Sequence, residues 1–321
     1  MGAGHEQRQS GLDEDLAQFP YINGELFAER LRIPSFNPLM RLLLIEACEF
    51  KWDAISPAIF GSLFQSVMDD AERRREGAHY TTEKNILKVI EPLFMDELRA
   101  EFQALVQRRD SGRRKAIEAF HDKLSTLRFL DPACGCGNFL IIAYRELRML
   151  EIEILKALRK SEQGVFLDVI RLCKIDVDQF YGIELGEFAA RIAEVALWMM
   201  DHIMNNKLTL EFYQTILWIP LKKSPHIRHA DALEVEWSEV LPAAQCSYVL
   251  GNPPFGGAKY QTDKQRAQVR RIARLGGSGG TLDYVTAWFL KAGEYLQTSR
   301  AQIGFVATNS ISQGEQMVSR V

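Results

Sequence analysis

One run of four residues in this sequence combines the side chains and the stiffness needed to act on an amino group. Asn252, Pro253, Pro254 and Phe255 follow residues 248–250, a short apolar run that predicts a strand. The side-chain oxygen of Asn252 and the carbonyl of Pro253 supply two acceptors, while the prolines fix φ near about −65° and donate nothing. The ring of Phe255 offers a face on which a planar base can stack, a contact worth about 1–3 kcal/mol. These four residues are candidate catalytic residues for chemistry at an exocyclic amine, with a proline loop around a buried Phe as the plain alternative.

A glycine-rich turn earlier in the chain is a candidate cofactor site. Residues 131–139 read Asp-Pro-Ala-Cys-Gly-Cys-Gly-Asn-Phe and follow the apolar run 127–130. Gly135 and Gly137 allow positive φ and a close approach of the backbone to a ligand. The run lacks the complete G-x-G-x-x-G pattern that holds a pyrophosphate at a helix N-terminus. A ligand without phosphates is therefore favoured and an NAD-dependent oxidoreductase disfavoured, although an ordinary tight turn explains the run taken alone.

Acidic residues follow two further predicted strands. Glu184 closes residues 180–183, and Asp231 follows residues 227–229. A carboxylate at the end of a second strand is well placed to accept from both hydroxyls of a ribose. Asp231 can accept from the amino group of an adenine. Together, Asp131, Glu184 and Asp231 fit a nucleoside that carries a cationic tail. For each residue taken alone, the alternative is a helix N-cap or an acid that faces solvent.

The cysteines do not predict a metal site or a nucleophile. Cys134 and Cys136 lie inside the glycine turn and have no partner pair at zinc-site spacing. The five cysteines also lack a disulfide-like pattern, which favours a reducing compartment. We interpret Cys134 and Cys136 as small packing residues and predict no metal.

Composition narrows the class of protein. The chain has 321 residues, 47% of them apolar, which is enough for a packed core and for two domains. Its net charge of −3 argues against general nucleic-acid binding, which depends on neutralising phosphates. No run of about 18 apolar residues predicts a membrane span, and residues 1–15 lack the apolar core of a secretion signal. We therefore expect a cytoplasmic protein.

Strands that alternate with helices must position these residues. We predict an α/β fold with a mostly parallel sheet covered by helices on both faces, in which ligands bind where the strand order reverses at the carboxyl edge. The predicted strands are residues 127–130, 180–183, 227–229, 248–250 and 303–307. The clearest predicted helices between them are residues 139–157 and 187–204.

The chain is expected to divide near residue 76. Residues 1–76 predict a helical lead segment, with helices at 42–48 and 59–68, and residues 77–321 predict the catalytic domain. Thr81 or Thr82 is expected to cap the helix that follows, with Glu83 in its first turn. Pro92 is expected to kink that helix. Residues 108–115 are expected to form a surface linker.

Three motifs together resemble one enzyme family. Residues 77–82 (Gly-Ala-His-Tyr-Thr-Thr), 131–140 and 252–255 resemble the S-adenosylmethionine-binding core of adenine-specific (N6) DNA methyltransferases. The sequences of these motifs are most similar to the methyltransferase part of the MmeI-like type IIL/IIG restriction–modification enzymes. Residues 19–76 are similar to the helical segment that precedes the core there. The resemblance implies the Rossmann-like fold of S-adenosylmethionine-dependent methyltransferases.

The resemblance also implies roles for the matched residues. Tyr80 and Thr81 belong to the motif that closes over the methionine end of the cofactor. Glu184 holds the ribose, and Asp231 with Ala232 holds the adenine. The implied cofactor-binding residues are Tyr80, Thr81, Asp131, Pro132, Ala133, Cys134, Gly135, Gly137, Glu184, Leu185, Asp231, Ala232 and Asn252. Residues 283–284 match a further pocket wall more weakly.

The implied activity is methyl transfer from S-adenosylmethionine to the N6 amino group of an adenine, in restriction–modification or phage defence. The target must leave the duplex to reach such a pocket. The sulfonium methyl is already activated, so orientation, which can supply roughly 7–11 kcal/mol, matters more than a strong base. Double-stranded DNA is the expected partner. Phosphate contacts are expected from four cations before the glycine run 276–280, with a solvated loop as the alternative: Lys264, Arg266, Arg270 and Arg271.

Two alternatives remain open for the activity. The family's sheet continues through two further strands into a target-recognition domain, neither of which this sequence contains, and no nuclease motif precedes the core. We therefore expect a sheet that is incomplete at its C-terminal edge and a chain that needs a target-recognition domain or specificity partner. One alternative is a cofactor-binding fragment that works with a partner chain. The other is a protein-glutamine or RNA methyltransferase, because those enzymes share the Asn-Pro-Pro-aromatic turn.

Overall fold

The computed structural model describes residues 35–50, 59, 81–159, 169–213, 224–274, 282–297, 299–308 and 311. Tyr80, most of the predicted lead segment 1–76 and the glycine run 276–280 lie outside the described residues. None of the described helices combines the length and the apolarity needed to cross a membrane.

The described sheet has five strands, all parallel, in the order β3-β2-β1-β4-β5. The α/β class and the parallel sheet are therefore confirmed, and each strand lies within two residues of its predicted position. The strand order reverses between β1 and β4, which places the ligand-binding crevice of such a sheet at their carboxyl ends. The strands are β1 (Phe129–Asp131), β2 (Phe180–Glu184), β3 (His226–His229), β4 (Tyr248–Gly251) and β5 (Gln302–Phe305).

The described helices include both of the long helices expected from the sequence, and α6 continues seven residues beyond its predicted end at residue 204. They are α1 (Pro38–Glu49), α2 (Glu83–Ile90), α3 (Asp96–Gln107), α4 (Arg113–Thr126), α5 (Asn138–Arg159), α6 (Glu187–Glu211), α7 (Asp263–Ala273) and α8 (Thr286–Leu296).

Two local predictions need correction. Residues 108–115 are not a linker throughout, because α4 begins at Arg113 and only the short turn before it is irregular. Thr82 is the N-cap of α2, but its side chain makes no capping bond, and its backbone carbonyl accepts from the amides that follow. Pro92, which was expected to kink the helix, lies in Glu91–Met95, a π-helical turn between α2 and α3.

Alternate residues of the central strands enter two separate hydrophobic cores. Phe129 and Phe180 stack at 4.9 Å on the face covered by α2 to α6. Leu130 and Val249 point to the opposite face, which α7 and α8 cover with residues such as Trp288. This period of two is the reason that the central strands β1 and β4 are mostly apolar. Both faces of the sheet are buried at these strands, which leaves their ends to carry the polar chemistry.

A buried polar network joins α4, α5 and α6 behind the sheet. Glu151 Oε1 lies 2.6 Å from His121 Nε2, and Glu151 Oε2 lies 3.3 Å from Arg148 Nη1. Arg148 Nη2 also donates to Asn205 Oδ1 at 2.7 Å. Burial opposes ionisation, but the charge of Arg148 and the hydrogen bond with His121 hold the pKa of Glu151 below its ordinary value. The network is therefore an ion pair with its charges compensated inside the protein.

Candidate active site

The predicted cofactor and catalytic turns lie side by side. In the pairing of β1 with β4, Phe129 is opposite Tyr248 and Leu130 is opposite Val249. The strands therefore deliver Asp131 and the residues after β4 to the same edge, at the point where the strand order reverses.

Gly251 makes this close approach possible. Its φ is +149°, and a Cβ added there would lie 2.4 Å from Asp131 Oδ1. A side chain at this position would therefore collide with Asp131 as well as strain the backbone. The sequence analysis gave Gly251 no role; the available signal was a glycine between an apolar strand and the Asn-Pro-Pro-Phe turn.

The two glycines of the cofactor turn have different functions. Gly137 has φ +83°, and a Cβ there would lie 3.0 Å from the Cβ of Ala193, so this glycine lets α6 approach the turn. Gly135 has φ +54°, and a Cβ there would meet nothing within 4 Å. The turn therefore packs tightly at Gly137 and borders open space at Gly135, which is the side available to a ligand.

Glu184 holds the cofactor turn against β2. Its Oε2 accepts from the backbone nitrogen of Gly135 at 2.8 Å, and its Oε1 accepts from that of Gly186 at 2.8 Å. Two backbone donors thus fix the orientation of the carboxylate that the sequence analysis associated with a ribose. Leu185, the next residue, keeps 58% of its surface exposed beside it.

Asp131 is buried with one oxygen uncommitted. Its Oδ1 accepts from the backbone nitrogen of Ala133 at 3.0 Å, but its Oδ2 has no hydrogen-bond partner among the described residues. Burial raises the pKa of Asp131 to about 8, with the charge of Glu184 adding to the effect and the bond from Ala133 opposing it. Asn138 Oδ1 and Asn252 Oδ1 are likewise buried at this edge without a described partner. Such orphaned acceptors indicate a site for a donor or a cation.

Asp231 is already engaged by the protein. Its Oδ1 accepts from the backbone nitrogen of Leu233 at 3.0 Å. Its Oδ2 accepts from Gln268 Nε2 at 2.8 Å and from Lys264 Nζ at 3.3 Å. Gln268 is a residue that the sequence analysis missed, and it also accepts from the hydroxyl of Tyr284 at 2.9 Å. A nucleobase at Asp231 would share or replace the contact of the exposed Lys264.

The catalytic turn presents an uncommitted amide oxygen. Asn252 Nδ2 donates to Thr81 Oγ1 at 3.0 Å, which leaves Asn252 Oδ1 as the unpartnered acceptor. Pro253 is buried, and Pro254 and Phe255 are half-buried. Thr81 therefore contacts the catalytic turn.

Buried polar side chains brace the residues after Phe255. Asp283 Oδ1 accepts from the backbone nitrogens of Gly256 and Val285 at 2.9 and 3.2 Å. Gln261 Nε2 donates to the carbonyls of Gly256 and Leu282 at 2.9 and 2.7 Å. The weakly predicted pocket wall at residues 283–284 is thus an anchor for the turn.

Trp288 contacts both the turn after β1 and the segment before α8. Its Nε1 donates to the carbonyl of Pro132 at 3.3 Å, and its ring packs edge-on at 5.0 Å from Tyr284.

Burial raises the pKa of Cys136 to about 12 and that of Cys134 well above its ordinary value. Both thiols are therefore neutral near pH 7, as packing residues would be.

The basic segment is helical and mostly tied to the protein. Lys264, Arg266, Arg270 and Arg271 lie on α7, so the solvated loop offered as an alternative is wrong for this segment. Arg266 donates to the carbonyl of Gln261 at 2.8 Å, and Arg271 pairs with Glu234 at 2.8 Å. The bonds of Arg271 and Lys264, the latter to Asp231, hold α7 to the loop after β3, whereas that of Arg266 joins α7 to the residues just before it. The exposed Arg270 has no hydrogen bond or ion pair with the described residues.

A separate surface depression lies away from these turns. Its volume is about 510 Å³, and it follows the edge strand β3 from its amino end. Asp178, His226 and Arg228 are among its lining residues, and none of the predicted site residues is.

Comparisons with known proteins agree with this geometry. Residues 107–320 match the family described as MmeI, DNA-methyltransferase domain. DNA methyltransferase A of Bacillus subtilis is 40% identical over 306 residues, which cover 94% of this chain and 34% of that protein. A putative type II restriction enzyme and methyltransferase of Methanocaldococcus jannaschii is 25% identical over 167 residues, covering 45% of this chain and 14% of the relative.

A solved structure extends the match to three dimensions. The type IIL restriction-modification enzyme MmeI, in complex with DNA, aligns with a TM-score of 0.91 and 51% identity, covering 99% of this chain and 42% of that chain. The chain thus spans between a third and a half of the length of this structure and of DNA methyltransferase A. The matched residues, the fold and the parallel sheet show that the chain belongs to the family of MmeI DNA-methyltransferase domains.

Proposed function

We propose that this chain is the S-adenosylmethionine-dependent core of a DNA methyltransferase that modifies the N6 amino group of an adenine rotated out of duplex DNA. The setting we propose is restriction–modification, as in two relatives whose names carry restriction activity, or phage defence. One observation carries the proposal: the buried, unpartnered oxygens of Asp131 and Asn252 lie on adjacent strand ends. One suits a cationic donor molecule, and the other suits an amino group that is to be methylated.

The residues at the edge fit the proposed cofactor. S-adenosylmethionine, when bound, supplies an activated methyl group on a sulfonium. Asp131 Oδ2 offers an uncommitted buried acceptor for its cationic portion, and the turn at Gly135 is open toward solvent. Glu184, oriented by two backbone amides, would accept from the ribose hydroxyls. Asp231 would accept from the adenine amino group beside the buried Ala232.

The catalytic turn would act by positioning. Asn252 Oδ1 and the carbonyl of Pro253 would accept from the two N–H groups of the target adenine, which localises the lone pair of the nitrogen. Phe255 would stack on the base, for about 1–3 kcal/mol. The neutral, buried thiols of Cys134 and Cys136 are unsuited to nucleophilic attack, so direct transfer between aligned groups is the mechanism we favour.

Duplex DNA would approach along α7. Arg270 is exposed and free of described partners, which suits it to a phosphate contact. Lys264 is also exposed, although it contacts Asp231. Arg266 and Arg271 have internal partners and would contribute mainly by holding the helix in place.

The identity of the methylated product tests this proposal. The chain is incubated with labelled S-adenosylmethionine and a mixed-sequence duplex, and the DNA is digested to nucleosides. We expect the label in N6-methyladenine. Label in a methylated cytosine would contradict the proposed target atom.

Parallel acceptors separate the alternatives. RNA and a glutamine-containing peptide receive the same treatment, and transfer to either of them instead of DNA would identify an RNA or protein-glutamine methyltransferase. A chain that binds the cofactor but methylates DNA only when a target-recognition domain is added would be the cofactor-binding part of a two-component enzyme.

A further inference from the structure

The Asn252 amide is hydrogen-bonded to a residue far away in the sequence. Asn252 Nδ2 donates to Thr81 Oγ1 at 3.0 Å, and the two residues are 171 positions apart. A terminal amide has two orientations related by a half-turn, and only one directs the oxygen at a given point. When Thr81 takes the nitrogen, the buried oxygen of Asn252 is left as the free acceptor.

Thr81 is itself held in place by the start of α2. The backbone carbonyl of the adjacent Thr82 accepts from the amides of Asn85 and Ile86 at 2.9 and 3.0 Å. Glu83 pairs with Arg145 of α5 at 2.7 Å, and Ile86 is fully buried. The hydroxyl that Asn252 meets is therefore attached to a rigid element.

The far side of α2 is fixed to the sheet. A Cβ added to Gly304 in β5 would lie 3.1 Å from Cγ1 of Val89, so the helix packs directly on the strand next to β4. The strand that carries Asn252 and the helix that carries Thr81 thus belong to one packed unit. The separation of hydroxyl and amide is set by that packing.

We propose that Thr81 is a positioning residue that anchors the Asn252 amide so that its oxygen is left free as an acceptor. The inference rests on the proposed function, and it gives Thr81 a task different from closing over the cofactor. Without the hydroxyl, the amide nitrogen loses its partner and the amide is free to turn its NH₂ toward the target amine. Two donors would then face each other, and methyl transfer would slow without a change in cofactor binding.

Substitutions at Thr81 test this assignment. Thr81→Val is nearly isosteric and lacks the acceptor, and Thr81→Ser keeps it. We expect Thr81→Val to lower kcat at saturating cofactor and DNA about 10-fold, the loss of one neutral hydrogen bond. The Kd and KM for S-adenosylmethionine should stay within about threefold of the parent. Thr81→Ser should restore kcat to within about threefold. Thr81→Ala, which also lacks the acceptor, replaces the valine variant if that variant unfolds.

Two results would overturn the assignment. One is an unchanged kcat in Thr81→Val and Thr81→Ala. The other is a rise in the Kd for S-adenosylmethionine with kcat preserved at saturation, which would make Thr81 a cofactor contact. Asn252→Ala is measured alongside. Loss of transfer in Asn252→Ala together with normal kcat in Thr81→Val defeats only this inference, whereas full transfer by Asn252→Ala defeats the proposed function itself.

Discussion

Two buried carboxylates in this protein have opposite pKa shifts although both are enclosed. Glu151, in the helical layer, lies beside Arg148 and His121, and its pKa is held below the ordinary value. Asp131, at the end of β1, receives one backbone hydrogen bond, and burial raises its pKa to about 8. The difference lies in the partners available inside the fold, since desolvation acts on both in the same direction.

This comparison separates groups that complete the structure from groups that await a ligand. A buried charge with internal partners contributes to the folded state, and removing one partner is costly. A buried acceptor without a partner makes the free protein less stable and gains its partner on binding. Asp131 and Asn252 each present a buried oxygen without a described partner, and their positions on adjacent strand ends define the candidate site.

Breaking the internal pair should produce the largest effect on stability. We expect Arg148→Met to lower the free energy of unfolding by about 3–5 kcal/mol, because Glu151 is left buried without its cation. Denaturant unfolding near pH 7 measures the change. Lys123→Met, which removes an exposed pair with Glu101, is the control and should cost less than about 1 kcal/mol. Equal losses in the two variants would show that Arg148 is not the compensating charge.

Filling the space at Gly251 should damage the site and cost less stability. Gly251→Ala places a Cβ 2.4 Å from Asp131 Oδ1 and strains a positive φ, so we expect the free energy of unfolding to fall by about 1–3 kcal/mol. Cofactor binding, followed by calorimetric titration, should become undetectable. Gly293→Ala in α8 is the matched control: an added Cβ meets nothing within 4 Å, and the helix should gain up to about 1 kcal/mol. Normal cofactor binding by Gly251→Ala would show that the close approach of Gly251 to Asp131 is not needed for the cofactor site.

Replacing Asp131 with asparagine should separate stability from binding. The folded pKa of about 8 lies above the ordinary 3.8, so the parent loses stability as pH rises from 3.8 toward 8 and stays level above it. Below about pH 3.8 the carboxyl is neutral in both the folded and the unfolded protein, and Asp131→Asn should change the free energy of unfolding by less than about 1 kcal/mol; as pH rises from there toward 8, the variant should become progressively more stable than the parent. At pH 9 the variant should be the more stable protein.

The same variant should bind the cofactor less well. We expect the Kd for S-adenosylmethionine to rise about 10- to 100-fold in Asp131→Asn, the loss of a hydrogen bond or ion pair with a charged group. The parent's affinity should increase as pH rises through about 8, because the ionised form binds the cation. A variant that binds as tightly as the parent at every pH would mean that Asp131 is not part of the cofactor site.

The smallest effect should come from substitutions on α7 that alter the affinity for DNA. Arg270→Ala should reduce the slope of log affinity against log salt for duplex DNA by about 0.9, the value for one phosphate contact. Arg271→Ala, whose guanidinium already pairs with Glu234, should change the slope less. Filter binding over a series of salt concentrations measures both. An unchanged slope in a variant that carries both substitutions would show that α7 does not contact the DNA.

Sequence reasoning located the ends of β1, β2 and β4 because each of these apolar runs stops at an acidic or glycine residue, and these boundaries need only local information. It missed α7, although Thr262 and Gln265 form a capping box that signals a helix start. The bond from Asn252 to Thr81 and the contact of Gln268 with Asp231 join residues far apart in the chain. Such contacts depend on how the helices pack on the sheet, which no local pattern encodes.

The central claim is that Asn252 serves the transfer step while the strand ends beside it hold the cofactor. Labelled methyl transfer to duplex DNA by Asn252→Ala, measured together with cofactor affinity by calorimetry, tests it most directly. We expect transfer to fall at least about 100-fold while the Kd for S-adenosylmethionine stays within about threefold of the parent. Transfer at the parent's rate by the variant would contradict the account.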